Sequence, residues 1–347
     1  MKRIKLVYLF SILMFLLNNS CRQETRKDNL CPDLLSEVTD TLRYSSFVDS
    51  ISYIRLETSD ECLIGKIADV TFSDENIFVL DEYKQVIWIF NKKGKYLTQI
   101  AKKGNGPGEY TKISQIEYDK VTKQILALDL WTKTILYYDL NGNFIRKVQL
   151  EIYVSDFKVV PQGGYIISNA ERAKSDAGIY LANAQGKVIR KLVMKSPKHM
   201  HPYNAYKELY DYNDTIAFIA PNFENGIYHY TYDSLELKYP FKFYPKIKNV
   251  YKENTYKKNG DDFTRTMYME GKKWILIVFW SEKYDLRNFL YCKETNQYWI
   301  GKFLLNDIDG FQSRDNTSIS TNNQFVFWCE NRDCPEDNPI LQILHLK

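Results

Sequence analysis

Nine side chains in this sequence have the types that gather into a ligand site: Asp81, Trp131, Arg172, His201, Tyr203, Glu224, Trp280, Glu282 and Arg332. Aromatic rings beside charged groups suit a sugar, a peptide or an anionic ligand. The ring offers a stacking face and a guanidinium offers a bidentate donor. The same residues have structural uses, because an aspartate after a strand commonly caps a turn and a tryptophan fills space between sheets.

Other patterns are weaker. His199 and His201 share the segment KHMHPY, and side chains at i and i+2 on an extended chain face the same way, as a metal would need. His229 and His345 fall on separate predicted strands, so a three-histidine site is not expected, and no metal site is assigned. Gly104-Asn105-Gly106-Pro107-Gly108 lacks the Lys-Ser/Thr that completes a phosphate loop, although its amides could form an anion nest. No Gly-x-Ser-x-Gly, His-Glu-x-x-His or Cys-His nucleophile arrangement is present. Cysteines 31, 62, 292, 329 and 334 are an odd set beyond Cys21, and Cys329 and Cys334 bracket a short loop that a disulfide could close.

Elements able to position these groups recur at intervals. Asp74–Ile100 aligns with Lys123–Leu150, placing Ile77 on Ile125, Asp81 on Asp129 and Gly94 on Gly142. Each unit reads strand, polar loop, strand, Asn/Asp-x-Gly turn, strand. Further units begin near Tyr165, Ile216, Ile275 and Phe325, at spacings of 40 to 59 residues. Another strand precedes each unit: Ile67–Phe72, Ile113–Tyr118, Ser155–Val160, Glu208–Tyr212, Phe263–Met269 and Ser318–Thr321. Four strands with a period near 50 predict an all-β, six-bladed β-propeller of antiparallel blades. The last unit lacks its outermost strand, and Ile51–Glu57 (ISYIRLE) is left over at the other end. Docking it there closes the ring and leaves no exposed edge. Ligand residues are then expected at one mouth of the central channel, on the loops joining second to third strands and on the crossovers between blades. Tyr244–Asp262 is the longest insertion.

The chain has 347 residues and a formal charge of +4, but Lys2, Arg3 and Lys5 stand in its first five residues. Without residues 1–20 there remain 44 basic against 43 acidic residues, so a nucleic-acid partner is not implied. The 15% aromatic content favours β-structure. Leu6–Leu17, 12 mostly apolar residues behind a basic start, is a signal-peptide core too short to span a bilayer comfortably.

Ser20-Cys21 after that run resembles the lipobox of bacterial lipoproteins, which implies lipidation at Cys21, an anchor in a bacterial membrane and a periplasmic or cell-surface location. Residues 1–20 are then the signal peptide, 21–45 a polar tether and 46–347 the propeller. KGNGPGEY (Lys103–Tyr110), followed by an apolar strand and an Asn-Gly turn, looks like an NHL-type repeat. With the ISYIRLET opening and the EDNPILQILHLK ending, the chain resembles the six-bladed β-propeller lipoproteins of Bacteroidetes, with a TolB-like propeller. That resemblance supplies no catalytic residues. Two functions are carried forward. One is a tethered binding or scaffolding module for a protein, peptide or glycan. The other is an NHL-like hydrolase or lyase holding a divalent ion, such as calcium, among Asp69, Glu117, Asp156, Glu208 and Asp211 of the innermost strands. The alignment turns Asp69 and Glu117 toward the sheet stack, which favours binding.

Overall fold

The computed structural model describes residues 30–35, 38–169, 178–194, 207–212, 215–219, 226–231, 234–243, 263–281, 285–311, 318–321, 323–329 and 334–347. Cys31–Lys347 form one compact unit. Six antiparallel sheets follow one another as the blades of a propeller, and no α-helix occurs among the described residues. The innermost strands are Ile67–Phe72, Ile113–Asp119, Asp156–Val159, Leu209–Tyr212, Phe263–Glu270 and Ser318–Thr321, and successive ones touch around the channel. All six are where the sequence places them.

The middle strands explain why these segments fold as blades. Asn76–Asp81, Val86–Asn91, Gln124–Asp129 and Thr134–Tyr138 carry unbroken apolar runs and are buried along almost their whole length. A sheet covered on both faces has no polar side to alternate with. Phe78, Leu80, Ile87 and Ile89 of blade 1 accordingly pack against Ile116, Ile125, Ala127 and Tyr138 of blade 2, and similar cores fill the other junctions described.

The third-to-fourth-strand turns repeat one device. Asn91 accepts from the amides of Lys93 and Lys95, Asp139 from those of Asn141 and Asn143, and Asn183 from those of Gln185 and Lys187. Gly94 completes the first turn at φ +81°, and a Cβ there would lie 2.0 Å from the carbonyl oxygen of Arg55 on the neighbouring blade.

Val48–Arg55 pairs antiparallel with Ile340–Leu346 and supplies the outermost strand of blade 6, so the ring closes as the strand count requires. Asn338 fastens the junction. Its Oδ1 accepts from the Ile64 amide at 2.6 Å, and its Nδ2 donates to the carbonyls of Glu57 and Cys62 at 2.7 and 2.9 Å.

One element departs from expectation. Val38–Arg43, read as part of a polar tether, is a fifth strand lying parallel to Tyr298–Leu305 on blade 5. Gly301 makes room for it, since a Cβ there would sit 2.6 Å from the Leu42 side chain, and both Leu34 and Leu42 are buried.

Candidate functional site

The rim of blades 1 and 2 on the side of the second-to-third-strand hairpins is a continuous hydrogen-bonded platform. Asp81 ends its strand and turns its carboxylate into the hairpin. Oδ1 accepts from the amides of Tyr83 and Lys84 at 2.9 and 3.0 Å, while Oδ2 accepts from Gly65 at 2.7 Å and from the Trp88 indole at 3.4 Å. Asp129 does the same one blade on, taking the Thr111 amide at 2.6 Å and the amides of Trp131 and Thr132 at 3.1 and 3.3 Å. Between the hairpins runs the 101–112 crossover. Tyr110 donates its hydroxyl to the Gln85 carbonyl at 2.6 Å, and the Gln85 side chain accepts from the Ile113 amide at 2.7 Å.

Two aromatic rings crown this platform at equivalent positions. Tyr83 is 71% exposed and Trp131 is 70% exposed. Each follows its pinning aspartate by two residues, so the turn that buries the carboxylate also thrusts the ring outward. Both oxygens of Asp81, a candidate ligand residue by sequence, are thus engaged within the protein. Trp131 is exposed as a ligand residue should be, and Tyr83, its counterpart, was missed. The repeat alignment of Asp81 with Asp129 was the signal that could have found it.

The glycine-rich loop is also occupied from within. Glu109 folds its carboxylate back onto the Gly106 amide at 2.8 Å, and a Cβ on Gly104 would lie 2.0 Å from that carboxylate. The anticipated anion nest holds the protein's own anion.

Inside the channel, the innermost strands carry a ring of inter-blade ties. Asp69 Oδ2 accepts from the Ile116 amide at 3.1 Å, Gln115 Oε1 from Phe157 at 3.0 Å, and Asp156 Oδ2 from Glu208 and Leu209 at 2.6 and 2.9 Å. Asp156 Oδ1 has no hydrogen-bond partner, and burial pushes this carboxyl above its ordinary value. Lys207 reaches from blade 4 to pair with Asp69 of blade 1. Lys158, of blade 3, is buried between Glu117 at 2.7 Å and Asp211 at 2.6 Å. Burial pushes Glu117 up to about 8 against the pull of Lys158, with the charge of Asp211 adding to the rise. Burial acts on Asp211 in the same sense, but Lys158 outweighs it and holds that carboxyl below its ordinary value.

Glu117, Lys158, Lys207 and Asp211 line a pocket with Thr71, Phe72, Tyr118 and Lys120. It opens where the innermost strands end, on the rim opposite the platform, a location the sequence reading did not anticipate. Glu117 faces the channel rather than the sheet stack. Asp69, Glu117, Asp156 and Asp211 are each engaged by amides or ammonium groups. No cluster of three His, Cys, Asp or Glu able to hold a metal occurs among the described residues. The carboxylates thus do not converge on one point as the divalent-ion alternative needs.

A second buried ionic cluster joins blades 4 and 5. Glu270 receives Lys293 at 2.5 Å, His229 at 3.0 Å and the hydroxyl of Tyr268, while Lys293 lies 4.0 Å over the Tyr212 ring. Burial would raise Glu270, but His229 and then Lys293 hold it below its ordinary value.

Of the other sequence candidates, Trp280 lies on the second strand of blade 5, opposite Leu286 in the third. Cys21, Arg172, His201, Tyr203, Glu224, Glu282 and Arg332 lie outside the described residues, as does the KHMHPY segment. Both cysteines of the anticipated pair lie among the described residues. The thiol of Cys329 is buried and donates to the Ile340 carbonyl at 3.4 Å, while Cys334 is exposed beyond the strand end.

A family model described as "Domain of unknown function (DUF4934)" matches residues 33–345. Among solved structures, a Bacteroides fragilis protein described as exported superposes with a TM-score of 0.74 at 19% identity, covering 92% of this chain and 99% of that one. A DUF4221-family member from Bacteroides vulgatus gives 0.57 at 12% identity, covering 86% and 97%. Virginiamycin B lyase from Staphylococcus aureus gives 0.45 at 11% identity over 85% and 99%, too slight a likeness to bear on chemistry. No curated protein matches the chain in sequence. At these identities the structural likeness shows the fold alone.

Proposed function

The chain belongs to the DUF4934 family, and on that footing we propose that it is an exported, lipid-anchored propeller that binds a protein, peptide or glycan across its hairpin rim. The observation that carries this reading is the pair of exposed rings, Tyr83 and Trp131, fixed at equivalent tips of adjacent blades. Exposing two large rings on turns whose backbone is already fully bonded serves no packing purpose. It presents rigid, amphipathic contact area at low entropic cost, as binding surfaces do. Export is supported by the basic start, the 12-residue apolar run and Cys21, and by the description of the Bacteroides fragilis neighbour as exported. No helix among the described residues is long and apolar enough to cross a membrane; the anchor in this reading is the lipid on Cys21.

The mature protein, immobilised on a sensor surface, is exposed to panels of soluble polysaccharides and peptides. A ligand captured by the wild type and lost by Tyr83→Ala/Trp131→Ala, with the melting temperature unchanged, supports the rim. Undiminished capture by that double variant refutes it. Cys21→Ser is expected to move the protein from the membrane to the soluble fraction, and continued membrane retention would sink the anchor.

A further inference from the structure

Resting on that rim reading, we propose that the ligand is an anionic polysaccharide, whose sugar rings stack on Tyr83 and Trp131 while its carboxylate or sulfate groups meet the lysines between them. The chain beyond residue 20 is almost neutral, yet its charge is not evenly spread. The four segments that build the platform, residues 63–66, 82–85, 101–112 and 129–133, contain Lys66, Lys84, Lys102, Lys103, Lys112 and Lys133.

Four acids stand in or beside these segments, two of them buried and two, Glu82 and Glu109, exposed but engaged. Asp81 and Asp129 are buried in their hairpins, Glu109 is folded onto Gly106, and Glu82 pairs with Lys66 at 2.7 Å. Six lysines against four acids leave the platform net positive, with Lys103 and Lys112 exposed on the crossover between the two rings. Lys66 also stands 5.6 Å from the Tyr83 ring centroid, so ring and ammonium form one contact surface.

The platform is unsuited to an extended peptide. The amides of Tyr83, Lys84, Trp131 and Thr132 are spent on Asp81 and Asp129, so the tips offer no open ladder to which a strand could add. What remains is two flat apolar faces with lysines beside and between them, which match the flat faces and pendant anions of an acidic sugar chain.

The test titrates the mature protein with polygalacturonate, alginate and chondroitin sulfate, with neutral dextran, and with poly-glutamate as an acidic peptide. At least one acidic polysaccharide should bind at 50 mM salt and weaken about tenfold by 300 mM. Lys103→Glu/Lys112→Glu should weaken it about tenfold or more, and Trp131→Ala about tenfold. Dextran bound as tightly, with the lysine variant unaffected, overturns the anionic ligand while leaving the rim intact. Poly-glutamate bound more tightly than every acidic polysaccharide overturns it in favour of an acidic peptide. Failure of all three acidic polysaccharides to bind overturns it as well. Binding that ignores Tyr83→Ala/Trp131→Ala refutes the rim itself.

Discussion

Glu117→Gln tests how the channel distributes its charge. Lys158 is a single ammonium held between two carboxylates, so full ionisation would leave one negative charge unbalanced in the channel. Exposure decides which acid keeps its proton: the Asp211 side chain is 46% exposed and that of Glu117 is 7% exposed. Glu117 therefore stays protonated up to about pH 8, against roughly 4.3 for a glutamate in an unfolded chain. The folded state then binds more protons than the unfolded one throughout that interval. Stability is at its fullest below the unfolded value and falls as pH rises toward the folded one, by about 1.4 kcal/mol per pH unit. From pH 5.5 to 7.5 the loss is about 2.7 kcal/mol, which for a chain of this size is a melting shift of about 5 °C. Glutamine keeps the shape, still accepts from Lys158 and has no proton to lose. Urea unfolding of both proteins at half-unit steps from pH 5 to 9 should show the variant gaining that amount on the wild type between pH 5.5 and 7.5, then no further change above about pH 8. A variant about 3–5 kcal/mol less stable at every pH would refute the reasoning, because it would mean that Glu117 is ionised throughout and held by a strong ion pair.

Three further perturbations probe the fold. Asn338→Ala strips one amide donor and two carbonyl acceptors of their partners at the ring junction, and should cost about 2–4 kcal/mol in urea unfolding. Gly142→Ala forces a side chain into a turn at φ +83°, where Ile100 and the Gln99 carbonyl lie 3.1 and 3.4 Å from the added atom; a melting temperature lower by a few degrees is expected, at about 1–2 kcal/mol. Glu270→Gln leaves Lys293 and His229 without their carboxylate and should cost about 3–5 kcal/mol at pH 7. Because Glu270 lies below its ordinary value when folded, its contribution is present above the unfolded value and lost as pH falls, so the gap between wild type and variant should begin to narrow only below about pH 4.3 in acid titration.

The blades were legible because a sheet covered on both faces writes its strands as unbroken apolar runs, and because the turns between outer strands carry their own glycine. Closure was legible by subtraction: one blade was a strand short, and Ile51–Glu57 had no other place. The channel ions were not. Lys158 is 41 residues from Glu117, and Lys207 is 138 residues from Asp69. Nothing local distinguishes such lysines from solvated ones, and only the ring brings them to their acids. The turn role of Asp81 was open to reading, since most of its partners are its near neighbours. Val38–Arg43 escaped notice because a short strand with alternating polar residues looks like linker until Gly301 shows the vacancy it fills.

The closing strand also sets an order of events. Ser52 hydrogen-bonds His345, 293 residues further along the chain, so Val48–Arg55 is made long before its partner. At about 5–20 residues per second, translation leaves that strand unpaired for roughly 15–60 s. Blades 1 to 5 can stack in sequence as they emerge, whereas blade 6 must wait for both ends. A product truncated before Ile340 would display an unpaired apolar edge rather than a slightly smaller propeller, and should be recognised and degraded as misfolded.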